Sequence, residues 1–142
     1  MEPPSPSAIL VLNHSGRRLR LARLKTVLGS VLGHDRPVEL ILLDERAMRA
    51  LNYRSRGVDE ATDVLTFPAP DFPGSPIGEI AVCVDFAERQ AQERGIKLDE
   101  ELCYLAIHGA LHLRGFDDIE DGDRAKMSAE MHRYGLLLGL PE

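Results

Sequence analysis

The segment "LCYLAIHGALHLRGFDD", residues 102–118, decides how the rest of the chain is read. Apart from its two histidines the stretch up to Leu113 is apolar nearly all round, so it predicts a largely buried helix over 98–114. A buried imidazole without a partner costs about 1–3 kcal/mol, so His108 and His112 each need something to bond. Residues four apart share one helical face, which sets the two rings side by side in an arrangement suited to chelating one transition metal. Two core histidines bonded to backbone carbonyls are the alternative. Gly115 is placed to end the helix in a left-handed conformation, after which Asp118 can return to the same metal as a third ligand. Three protein ligands with an open position describe a catalytic rather than a closed structural zinc site.

The spacing H-x3-H-x2-G-x2-D is similar to that of zinc proteases with an HExxHxxGxxH or HExxHxxGxxD pattern. Gly109, however, stands where those proteases carry the Glu that serves as general base. Peptide hydrolysis by that mechanism lacks its base here.

Outward from this helix, "AILVLN" (8–13), "PVELILLD" (37–44), "TDVLTFP" (62–68) and "IGEIAVCVD" (77–85) read as strands. Helices are expected over 17–32, from an Asp44 cap to Gly57, from Asp85 with Glu88 to Gly95, over 98–114, and over 123–138. The order predicts an α+β fold, a small mixed sheet of four strands packed with helices. One domain over 1–142 is expected, with residues 1–7, "MEPPSPS", as a short disordered tail rather than a signal peptide.

No run approaches the roughly 20 apolar residues that span a bilayer, which points to a cytoplasmic protein without a membrane partner. Cys83 and Cys103 lack CxxC spacing and read as buried free thiols. The net charge of −6 argues mildly against nucleic acid, but its distribution argues for it. Residues 1–60 hold ten Lys/Arg against seven Asp/Glu, a net of +3, which leaves −9 for the remainder. Arg17, Arg18, Arg20 and Arg23 fall on the first expected helix, where they are weak candidates for RNA backbone contact or an ordinary solvated face.

The chain resembles the bacterial YbeY family of metal-dependent endoribonucleases, which shows HGxLHLxGYDH. Here His108, Gly109, Leu111, His112, Leu113, Gly115 and Asp117 match, and Phe116 replaces the Tyr. "LNYRSRGVDEATDVLTFP" is similar to that family's Asn, basic residue, Gly and TDVLSFP segment, aligning Asn52, Arg56, Thr62, Asp63, Val64, Leu65 and Phe67. "IGEIAV" looks like its LGDI strand, and Met127 with Glu130 resembles its last-helix M-x-x-E. The resemblance runs over about 8–138.

It implies a zincin-like fold with the metal site on a central buried helix and the following turn. It also implies a single-strand-specific endoribonuclease of 16S ribosomal RNA maturation and ribosome quality control, partnered by RNA and by ribosomal particles or their assembly factors. One Zn2+ per chain would be held by His108, His112 and Asp118, with the family's third His replaced by Asp118. Arg56, His108 and His112 become the candidate catalytic residues, Arg56 as a phosphate-binding guanidinium. A surface ion pair of Arg56 with Asp59 or Glu60 is the alternative. Asp117 is expected behind the ligands, as a turn former or an acceptor for a ligand imidazole. Asp63 and Thr62 are expected to anchor a strand start. A ribosome-assembly module with a structural metal is the competing reading, and a metallopeptidase the more distant one.

Overall fold

The structure, a computed structural model, describes residues 8–141, so the tail expected at 1–7 lies outside the described residues. Its elements are β1 (Ile9–His14), α1 (Ala22–Leu32), β2 (Val38–Leu43), α2 (Glu45–Arg56), β3 (Val64–Pro68), β4 (Gly78–Cys83), α3 (Val84–Arg94), α4 (Leu98–Leu113) and α5 (Asp121–Leu137). The strands form one sheet in the order β1-β2-β4-β3. β1, β2 and β4 run parallel, and β3 lies antiparallel on the β4 edge, which gives the mixed α+β sheet that the sequence predicts. The Pro/Gly-rich loop between β3 and β4 is pinned by Arg36, which donates to the Ser75 and Pro76 carbonyls and to Ser75 Oγ.

Alternation along the strands sorts the apolar residues onto two faces. Ile9, Val11, Val38, Leu40, Leu42, Ile80 and Val82 meet α1 and α4 on one face. Leu43, Leu65, Ala81 and Cys83 meet Met48 of α2 on the other. α4 is the central helix, touching α1, α3, α5, β3 and β4. Its Ala106, Ile107, Ala110 and Leu111 are fully buried, as the absence of a polar face predicts. It lies so close to the sheet at Gly109 that a Cβ there would stand 2.7 Å from Ile80 Cγ2 and 3.4 Å from Thr66 Cγ2.

Two helix starts differ from expectation. α1 begins at Ala22 rather than 17, because side chains satisfy the preceding backbone in turns that compete with helix. Asn13 Nδ2 donates to the Arg17 carbonyl, Ser15 N donates to Asn13 Oδ1, and Arg17 N donates to Ser15 Oγ. α3 begins at Val84, and Asp85 does not cap it: its carboxylate accepts instead from Glu45 N at the start of α2 and from Arg17. Asp44 does cap α2, accepting from Ala47 N. Both cysteines are buried and free, and burial pushes the Cys103 thiol up to about 12, which makes it inert. No helix among the described residues is long and apolar enough to cross a membrane.

Candidate metal centre

α4 ends in a Schellman motif that brings the chain back over its own last turn. Phe116 N donates to the Leu111 carbonyl and Gly115 N to the His112 carbonyl, with Gly115 at φ +94°. Phe116 packs back onto the core. Asp117 Oδ1 then accepts from Asp118 N at 2.7 Å, so this residue acts as a turn former, shaping the loop that presents Asp118.

The result is a triangle of ligand atoms. His108 Nε2 and His112 Nε2 are 3.1 Å apart, and Asp118 Oδ2 lies 3.8 Å from the first and 3.9 Å from the second. The circle through three atoms at these separations has a radius of about 2.1 Å, inside the roughly 2.0–2.2 Å of zinc bonds to nitrogen and carboxylate oxygen. The donor set therefore fits a metal ion, and it is the one such cluster among the described residues. The imidazoles are 29% and 25% exposed and Asp118 45%, so the triangle sits at the protein surface rather than sealed in the core. Burial, with His112 beside it, holds the His108 pKa below its ordinary value against the pull of Asp118 and Asp63. A neutral ring is the form that ligates a metal.

The other expected residues lie outside this triangle. Arg56, exposed at the end of α2, makes no hydrogen bond or ion pair among the described residues. Of the two carboxylates expected as its ion-pair partner, Asp59 is taken, accepting from Arg49 Nε and Nη2 at 2.8 and 3.1 Å. Arg17 is engaged by Asp85 and Glu88, and Arg23 by Asp99 at 2.7 Å. Arg18 and Arg20 stay exposed, but they precede α1, so the four arginines do not form one helical face. Asp63 anchors its strand as expected, with Oδ1 accepting from Val64 N at 2.8 Å.

One feature escaped the sequence reading. A cavity of about 400 Å3 adjoins His108 and is lined also by Asp63, Gln90, Arg94, Glu101 and His132. Glu101, only 3% exposed, is the one buried carboxylate among the described residues. Arg94 Nη1 donates to its Oε2 at 2.5 Å, and burial raises its pKa against that pull. The available signal was a third acidic residue after Asp99 and Glu100, two helical turns before His108 and on its face of the helix.

Residues 19–136 match the family model described as endoribonuclease YbeY. An endoribonuclease YbeY of Nautilia profundicola is 40% identical over 107 residues, covering 75% of this chain and 76% of that protein. One from Helicobacter pylori is 37% identical over 117 residues, covering 81% and 84%. The solution structure of a Thermotoga maritima protein superposes with a TM-score of 0.67 at 34% identity, covering 92% of this chain and 88% of that one. With this extent of match over both helices and sheet, the chain belongs to the YbeY endoribonuclease family.

Proposed function

We propose that this chain is a metal-dependent endoribonuclease that cuts single-stranded RNA in 16S ribosomal RNA maturation, with one Zn2+ held by His108, His112 and Asp118. The observation that carries this reading is the ligand triangle, whose dimensions match zinc, on a helix of a YbeY family member. When bound, a zinc ion there supplies Lewis-acid charge to a phosphodiester. His108 contributes a ring kept neutral by burial, ready to ligate without first losing a proton. Arg56 carries a guanidinium that no carboxylate among the described residues occupies, free to fork onto phosphate oxygens. Ribosomal particles or assembly factors are the expected partners, and the cytoplasm the expected compartment.

A peptidase reading fails on packing as well as on chemistry. The helix position that would need a general-base Glu is Gly109, which lies against Ile80 with no room for a side chain.

The test is the metal-to-chain ratio of untagged protein by mass spectrometry, followed by cleavage of single-stranded oligoribonucleotides. About one zinc per chain together with cleavage supports the reading; no metal after reconstitution overturns it. Asp118→Ala is expected to lose most of the metal. Asp118→His is expected to keep it and to cleave faster, because a neutral third ligand leaves more positive charge on the ion. An Asp118→Ala protein that held zinc as tightly as the parent would remove Asp118 from the ligand set. Arg56→Ala is expected to lower kcat/KM by about 10- to 100-fold, the value of a charge-assisted phosphate contact, with metal content unchanged. Parallel loss of metal would make Arg56 a structural residue instead.

A further inference from the structure

The cavity beside His108 has a chemistry unlike that of a phosphate site. Its groups include two carboxylates, Asp63 and Glu101, against a single guanidinium, Arg94, which Glu101 already holds. An excess of negative charge repels phosphate, whereas an excess of acceptors suits a neutral group rich in N–H donors. We infer that this cavity is a nucleobase subsite that takes a guanine of the RNA beside the point of cleavage, an inference that rests on the endoribonuclease reading above.

The base edge and the cavity wall are complementary. Guanine presents on its Watson–Crick edge a carbonyl oxygen followed by ring and amino N–H donors, an edge that proteins read in unstacked RNA. Arg94 and Glu101, joined at 2.5 Å, present a donor beside an acceptor: the guanidinium for O6, the carboxylate for N1–H and N2–H. Gln90 donates Nε2 to Asp63 Oδ2 at 3.1 Å, which orients its amide and leaves its carbonyl oxygen as a further acceptor. Adenine and cytosine offer one amino donor on that edge and uracil one ring N–H, so each leaves acceptors unpaired. Leu105 and Met131 supply apolar surface for the faces of the base.

Size and position agree. A cavity of about 400 Å3 is at the small end of the roughly 300–1,000 Å3 typical of ligand sites, room for one nucleoside rather than several. Glu101, Leu105, His108 and His112 follow one another at helical spacing on one face of α4. Glu101 is thus about 10 Å along the helix axis from His108, with the cavity between them.

The test is titration of the zinc-loaded protein, followed by NMR, with the 5′-monophosphates of guanosine, adenosine, cytidine, uridine and inosine. All five carry the same phosphate and ribose, so differences between them report the base. The guanosine nucleotide is expected to bind about tenfold tighter than the adenosine, cytidine and uridine ones, shifting the Gln90 side-chain amide. The inosine nucleotide, which lacks the amino group, should bind about tenfold more weakly than the guanosine one. Glu101→Gln is expected to erase the preference, and so is Gln90→Ala, a change on a half-exposed helical position that the fold tolerates. Equal binding of all five, or shifts confined to residues outside the cavity, would overturn the subsite. The two readings separate in cleavage assays with G, A, C or U placed at each position flanking the cut. RNA cut without base preference, with no guanosine preference in the titration, sinks the subsite and spares the nuclease. A guanosine preference in a protein that cuts no RNA does the reverse.

Discussion

His112→Ala is expected to purify with less than about a tenth of a metal ion per chain and to cleave RNA at least about a thousandfold more slowly than the parent. The size follows from two steps. Even a partner that merely orients a ligand is worth roughly 10- to 100-fold in metal affinity or activity, so losing one ligand of three exceeds that. The several kcal/mol of transition-state charge stabilisation that a metal provides then correspond to about three orders of magnitude in rate. Stability should change little, because the imidazole is a quarter exposed and its one hydrogen-bond contact among the described residues is with His108. Metal content, cleavage rate and circular dichroism measured on the same preparation decide it. A variant that keeps its fold, lacks metal and still cuts RNA at the parental rate would end the metal mechanism.

The second large effect is on the fold. Gly109→Glu, the one substitution that would complete an HExxH motif, is expected to leave most of the protein unfolded or insoluble. Its Cβ would stand 2.7 Å from the branched methyl of a fully buried Ile80, which cannot swing aside. The carboxylate would then enter a core where Ile80 and Thr66 are the nearest side chains. Overpacking alone costs about 1–3 kcal/mol and an unpaired buried charge adds several more, against a total stability of about 5–15 kcal/mol for a domain. Gly109→Ala isolates the steric part. Ala gains about 1 kcal/mol of helix propensity over Gly, which offsets part of the overpacking cost, so the net loss should be at most about 2 kcal/mol in urea unfolding, with the slope unchanged. An Ala variant as stable as the parent would mean that α4 has slack against the sheet. The close approach also explains why this family member has the histidine pair of a metallopeptidase helix without room for its base.

Much of the site was legible because it is local. His108, His112, Gly115 and Asp118 lie within eleven residues, and helical spacing plus one left-handed glycine suffices to bring their ligand atoms together. The same holds for Asp44 as a cap and for Gly57 and Gly95 as helix ends. Reading failed where a side chain had a distant competitor. Asp85 looks like a helix cap, but the tertiary structure gives it Glu45 N, forty residues away, and Arg17, sixty-eight away. Arg17, Arg18, Arg20 and Arg23 read as a cluster on the first helix, but only Arg23 lies in α1, and Arg17 and Arg23 are engaged by acids of α3 and α4.

Sequence alone therefore determined the elements, the α+β class and the gathering of His108, His112 and Asp118, since hydrophobic period, capping chemistry and i, i+4 spacing act over a few residues. Tertiary structure alone decided which charges remain available and which cavity the His108–His112–Asp118 cluster adjoins. Gln90 and Arg94 of α3, Glu101 of α4 and Asp63 ahead of β3 meet beside His108 only because α4 packs between α3 and the sheet. No local pattern encodes that meeting: a buried carboxylate must find its cation wherever the packed chain places one.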